Sequence, residues 1–250
     1  MGLFSIFSRK EKHKGPPADL SVLGCDIHSH FIPGIDDGAQ TMEDSILLLS
    51  SMAEFGYRKV ITTPHIMSDY IRNTPEIIGH GLEELKITLR STDINLEVEA
   101  AAEYYFDSEF SAKIAGRELL TFGNNYVLFE LSYLNAPEGL HEVIFQLKTN
   151  GYTPVLAHPE RYPFWYANPE KYAEIKAKGA LLQMNINSLT GFYSPAAKKI
   201  AEWLIDHNLI DFLGTDCHHQ GHIKLMRKVV HETYLKKLID SGRLLNSGLM

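Results

Sequence analysis

Ser21-Val22-Leu23-Gly24-Cys25-Asp26-Ile27-His28-Ser29-His30 is an apolar run that ends in a His-x-His pair. The run reads as a buried strand at 22–26. On an extended chain, residues two apart point to the same side, so His28 and His30 share a face where two neutral imidazoles can meet one metal ion. Asp37 stands seven residues beyond His30. Taken alone, the pair reads equally well as two buried histidines satisfied by hydrogen bonds. The rest of the chain decides between these readings.

Six further short apolar segments follow, at 59–63, 95–101, 126–131, 153–157, 180–186 and 210–214. Each has the character of a strand covered on both faces. Amphipathic helical segments lie between them. The first, 41–55, opens on the N-cap residue Thr41 and closes at Gly56. The others are 75–91, 107–115, 138–149, 169–178, 195–207 and 223–240. Strands alternating with helices predict an α/β fold with a parallel sheet. Seven such units without a composition break predict a barrel. The 250 residues, 44% of them hydrophobic, fit one large domain at 20–250.

Metal-type side chains fall just past the carboxyl ends of these strands. His28 and His30 follow the first, His65 the second and Glu103 the third. Glu130 ends the fourth, His158 closes the fifth, and Asp216 and His218 close the seventh. The sixth ends in Asn185 and Asn187, which are poor metal ligands. Barrel active sites form at this end, so the distribution points to a metal site. With Asp37 the candidates are too many for one ion and suit two or three, bridged by carboxylates. Mixed imidazole and carboxylate ligands fit manganese, iron or zinc, and the lack of ligating thiolates argues against a structural zinc site. Asp36 competes with Asp37, because turn chemistry accounts for an Asp at either position. Arg161, three residues past His158, projects near the same rim, where a guanidinium can bind phosphate oxygens; an ordinary surface ion pair is the plainer reading. Tyr162-Pro163-Phe164-Trp165-Tyr166 reads either as an aromatic wall for a substrate ring or as core packing.

The net charge of −7 argues against a nucleic-acid partner. Only Cys25 and Cys217 are present, so a disulfide framework is not expected and a cytoplasmic protein is. Neither begins a Cys-x5-Arg loop, since the sixth residues on are Phe31 and Ile223. No membrane-spanning stretch or secretory signal is read. Residues 1–19 form a separate segment, apolar then basic, ending at Gly15-Pro16-Pro17. It reads as a disordered tail or as a weak interfacial anchor in which residues 3–14 touch the membrane.

His28-Ser29-His30, Asp36-Asp37-Gly38, Thr63-Pro64-His65, Glu103-Tyr104-Tyr105, Glu130, Ala157-His158-Pro159-Glu160-Arg161-Tyr162 and Thr215-Asp216-Cys217-His218 together resemble the polymerase and histidinol phosphatase (PHP) superfamily. Within it they look most like the bacterial protein-tyrosine phosphatases of capsule and exopolysaccharide synthesis. The resemblance implies a distorted seven-stranded (β/α) barrel and three metal ions, most often manganese. Carried over by position, His28, His30, Glu103 and Asp216 would hold one ion; Glu103, Glu130 and His158 a second; Asp37, His65 and His218 the third. Arg161 would bind and polarise the phosphate, with His158 and His65 beside it in the catalytic set and Tyr162 near the substrate. The implied substrate is phosphotyrosine in the C-terminal tail of a membrane-associated bacterial tyrosine kinase, reached from the inner face of the membrane. The family's second arginine, expected after the last strand, is missing here. His222 and Lys224 are the substitutes in reach, with Arg227 further along the helix. The reaction expected is metal-assisted phosphomonoester hydrolysis. The alternatives are a phosphoesterase acting on a small metabolite such as histidinol phosphate, and a non-catalytic metal-binding regulator.

Overall fold

The computed structural model describes residues 16–250; the membrane-contact reading of residues 3–14 lies outside them. Nine strands form: β1 (Cys25–Asp26), β2 (Lys59–Thr62), β3 (His65–Ile66), β4 (Glu97–Ala100), β5 (Glu103–Tyr105), β6 (Tyr126–Glu130), β7 (Thr153–Ala157), β8 (Leu181–Asn185) and β9 (Phe212–Gly214). They make two parallel sheets, ordered β1-β2-β4 and β3-β5-β6-β7-β8-β9.

Seven of the nine strands fall within the expected segments, while β3 and β5 lie beyond the expected ends of the second and third, at 63 and 101. The strand line of the second segment breaks at Thr63-Pro64 before β3 resumes it, where proline brings no N–H to the ladder. The third breaks at Ala101-Ala102. Register survives both breaks, since Lys59 pairs with Glu97 before them and His65 with Glu103 after them. Backbone bonds cross the gaps, from Ala101 N to Thr62 O (2.9 Å) and from Thr63 N to Ser29 O (2.7 Å). The chain beyond β1 also meets the chain beyond β9. Ser29 bridges Cys217 in parallel, Asp216 N donates to His28 O (2.7 Å), and His30 N donates to Cys217 O (3.0 Å).

The first expected strand is corrected. Residues Leu20–Leu23 form a 3-10 turn capped by the Asp19 carboxylate, and Gly24, at φ +68°, turns the chain into the short β1. The helices are α1 (Met42–Glu54), α2 (Pro75–Leu89), α3 (Ser108–Gly116), α4 (Leu140–Thr149), α5 (Glu170–Ala177), α6 (Pro195–Asp206), α7 (Gln220–Val229) and α8 (Thr233–Asp240). Thr41 and Asp44 close a capping box on α1, while Thr74 and Ser194 cap α2 and α6, each followed by proline. The expected helix at 223–240 is two helices, because Glu232 is extended and its carboxylate pairs with Lys198 on α6 at 3.1 Å.

Successive strand lines contribute Cys25, Ile61, Leu128, Val155 and Phe212 to an inner apolar cluster. A larger core, including Leu48, Met52, Val60, Leu156 and Leu204, packs helices on strands. Because the strands run parallel, their carboxyl ends gather at one end of the molecule. Among the described residues no helix is long and apolar enough to cross a membrane.

Candidate metal centre

Glu103, at the start of β5, is fully buried and lies in the middle of the site. Its Oε2 is 3.1 Å from His28 Nε2, 3.6 Å from His30 Nε2 and 3.1 Å from His65 Nδ1. Its Oε1 is 3.0 Å from His158 Nε2. Glu130, at the end of β6, approaches His65 Nδ1 at 3.2 Å and His158 Nε2 at 3.8 Å. Asp216 Oδ1 lies 3.4 to 3.6 Å from His218, His28 and His30. Asp37 Oδ1 stands 3.5 Å from His65 Nε2 and 3.3 Å from His218 Nε2. All nine side chains singled out as ligand candidates therefore converge, from six strand ends and one turn.

The contested pair of aspartates divides cleanly. Asp36 accepts from His30 Nδ1 (2.7 Å), Gly38 N (2.9 Å) and His65 N (3.2 Å), so its oxygens are committed. Burial disfavours its charge, but His30 beside it holds the carboxyl well below the usual range. Asp37 opens onto the cavity. The turn that carries both packs so closely on His30 that a Cβ on Gly38 would strike the His30 backbone.

Surrounding groups aim the ligands. His28 Nδ1 donates to Gln183 Oε1 (2.8 Å) and His30 Nδ1 to Asp36, which leaves both Nε2 atoms facing Glu103. Gln183 Nε2 donates to Asn185 Oδ1 (3.0 Å), and Asn185 Nδ2 donates to Asp216 Oδ2. That oxygen also accepts from Arg161 Nη1 (2.8 Å) and the Tyr193 hydroxyl (3.4 Å). Arg161 lies over the Tyr193 ring at 4.1 Å and the Tyr133 ring at 4.8 Å. His158 (φ +34°) and Asp216 (φ +47°) both hold left-handed backbone, a strain that clusters at functional sites. The sequence did not reveal Gln183, Tyr133 or Tyr193, and Asn185 was set aside as a poor ligand.

The residues present fit divalent cations. His28 Nε2, His30 Nε2, His65 Nδ1 and Glu103 Oε2 are buried and make no hydrogen bond among the described residues, although they face one another at 3.1 to 3.6 Å. Donor atoms fall into overlapping sets of three or four within 4.8 Å: His30, Asp37, His65 and His218; His28, His30 and Asp216; His28, Glu103 and His158; His65, Glu103 and Glu130. Imidazole with carboxylate is the donor mix of manganese, iron and zinc.

Without metal the cluster is strongly perturbed. Burial disfavours the charged form of His28, but Glu103 and Asp216 outweigh it and push the pKa up to about 9. The same contest, with Glu103 and Glu130, pushes His65 up to about 10. These two rings hold protons at neutral pH that must leave when a metal ion binds. Adding Mn²⁺ to chelated protein in weak buffer is therefore expected to release protons, with apparent affinity rising from pH 6 to pH 8. Binding without proton release would contradict these shifts.

Two expected substrate contacts, Tyr162 and Lys224, are corrected. Tyr162 is fully buried; its hydroxyl donates to Ala157 O (3.0 Å) and accepts from Leu131 N (2.9 Å), so it cannot touch substrate. Phe164 and Trp165 pack with it in the core rather than forming a cavity wall. Lys224 is exposed on α7 and does not line the cavity, while Arg227 turns away to pair with Glu54 at 2.7 Å. His222 does line it; its Nδ1 accepts the His218 N–H (3.2 Å), so its proton is on Nε2. The cavity, of about 540 Å³, is walled by Met67, Ile71, Tyr133, Phe192 and Tyr193 around the charged cluster. Cys25 and Cys217 are fully buried away from it, and burial pushes both thiols up, which excludes thiolate catalysis.

A model of the family "Capsular polysaccharide synthesis, CpsB/CapC" matches residues 24–241. Tyrosine-protein phosphatase YwqE of Bacillus subtilis is 32% identical over 195 residues, covering 78% of this chain and 77% of the relative. Tyrosine-protein phosphatase CpsB of Streptococcus pneumoniae is 26% identical over 78% of this chain and 82% of its own. Among solved structures, one from a report on YwqE from Bacillus subtilis and CpsB from Streptococcus pneumoniae, described as unique metal-dependent tyrosine phosphatases, superposes with a TM-score of 0.75 at 29% identity, covering 89% of this chain and 94% of that one. The histidinol phosphate phosphatase of Lactococcus lactis superposes at 0.54 with 15% identity over 82% of this chain and 91% of its own, a likeness of fold.

Proposed function

The chain belongs to the CpsB/CapC family of capsular polysaccharide synthesis, and on that premise we propose that it is a metal-dependent protein-tyrosine phosphatase. The observation that carries this reading is the convergence of buried histidines on Glu103, with Arg161 beside them at the floor of an aromatic-walled cavity. Three ions, manganese foremost, would sit among His28, His30, Glu103 and Asp216; Glu103, Glu130 and His158; and Asp37, His65 and His218. Divalent ions there would activate water and neutralise phosphate charge.

The protein's own groups do the rest. Arg161, fixed by two tyrosine rings and Asp216, binds the phosphate oxygens with its planar fork and stabilises charge as the ester bond breaks. Asn185 and Tyr193 keep Asp216 Oδ2 partnered when Arg161 turns to substrate. His222 offers its Nε2–H where the resemblance expects a second arginine, and His65 and His158 line the cavity around the reacting phosphate. The two sheets are read as one distorted seven-stranded barrel, closed where residues 28–30 meet 216–217.

The substrate proposed is phosphotyrosine in the C-terminal tail of a membrane-associated bacterial tyrosine kinase, with the enzyme in the cytoplasm and residues 3–14 in contact with the membrane. The test compares manganese-loaded protein on a phosphotyrosine peptide and on histidinol phosphate. We expect kcat/KM to favour the peptide by roughly a hundredfold. Preference for histidinol phosphate would reject the tyrosine assignment.

A further inference from the structure

The aromatics at 162–166 pack in the core, the second of the two readings left open, and the cavity takes its aromatic surface from elsewhere. Phe192 lines the cavity and is 50% exposed, unlike the buried aromatics of the core. A half-exposed phenyl ring contributes little to folding, so its place at the mouth of a charged cavity calls for another explanation. Its position is built. Gly191, at φ +80°, turns the chain out of the 3-10 turn Ile186–Thr190, and Phe192 N donates to Thr190 Oγ1 at 3.2 Å. Tyr193 meets the Phe192 ring edge-on at 5.1 Å and His222 does so at 5.4 Å.

The cavity tyrosines, Tyr133 and Tyr193, have less to offer a substrate ring. The Arg161 guanidinium lies over Tyr133 and Tyr193, occupying a face of each. Met67 and Ile71, from the loop after β3, add apolar surface but no ring. A phosphate held at Arg161 lies next to Tyr193, and Tyr193 touches Phe192. A ring attached to that phosphate is then within reach of Phe192, which lines the same cavity.

We propose that Phe192 is the specificity-determining residue that selects aryl over alkyl phosphates, by stacking on the ring that carries the phosphate. This deepens the phosphatase reading and rests on it for the location of the phosphate. Aromatic pairing of this kind changes affinity by about three- to tenfold.

The test uses two probes that cannot be hydrolysed, phenylphosphonate and methylphosphonate, titrated into the manganese-loaded protein. Wild type is expected to bind the phenyl compound about three- to tenfold tighter. Phe192→Ala should erase that margin and leave methylphosphonate affinity unchanged, and Phe192→Trp should restore it. On a phosphotyrosine peptide, Phe192→Ala should raise KM and spare kcat. No phenyl preference in wild type, or equal weakening of both phosphonates in Phe192→Ala, overturns the proposal. A Phe192-dependent phenyl preference in a protein that fails to turn over phosphotyrosine would sink the tyrosine assignment and leave this inference standing.

Discussion

Glu103→Gln is expected to lower kcat/KM on a phosphotyrosine peptide by roughly a thousandfold or more, with loss of at least one bound ion per chain. Glutamine keeps the shape and removes the charge. It also replaces an acceptor oxygen with an NH₂ donor. Both Glu103 oxygens face imidazole nitrogens, at 3.1, 3.6 and 3.1 Å for Oε2 and 3.0 Å for Oε1, so no orientation of the amide suits them all. Glu103 belongs to two of the four donor sets, and its loss therefore acts on more than one ion. The check is elemental analysis of the purified variant beside its kinetics, with circular dichroism to show that it folds. Near-normal activity at full metal content would remove Glu103 from the centre of the site.

Arg161→Ala is expected to cost about 10²- to 10³-fold in kcat, the scale found when one preorganised charge-stabilising donor is removed. Arg161→Lys should recover only a small part, because an ammonium binds phosphate as a point charge and cannot lie flat between Tyr133 and Tyr193. Metal content should hold in both variants, since Asn185 and Tyr193 still donate to Asp216 Oδ2. That separates a phosphate-binding role from a metal-positioning one. If Arg161→Ala lost metal together with activity, its role would be to hold Asp216.

The candidate ligands were legible because metal chemistry restricts residue type and a parallel fold restricts place. His28, His65, Glu103, Glu130, His158 and Asp216 each sit at or just past the end of an expected strand segment, and only a small set of side chains can serve there. Gln183 and Asn185 were not legible. Neutral amides carry no metal signature, and Asn185 reaches Asp216 only because β8 lies beside β9. Tyr162 misled through its proximity in sequence to Arg161. The 3-10 turn at Pro159–Arg161 sends the two side chains in opposite directions, one to the cavity and one to the core. Val22-Leu23 looked like strand from composition, yet the Asp19 cap and Gly24 make a turn of it. The break at Pro64 had a signal in the missing N–H, whereas the break at Ala101-Ala102 had none.

Loaded with divalent metal, this cluster is expected to hydrolyse phosphotyrosine. The most direct measurement titrates Mn²⁺ into fully chelated protein while bound metal and phosphate release from a phosphotyrosine peptide are followed together. The account predicts no turnover at the start, then activity that rises with occupancy and saturates at two to three ions per chain. Full turnover by protein shown to be metal-free would contradict it.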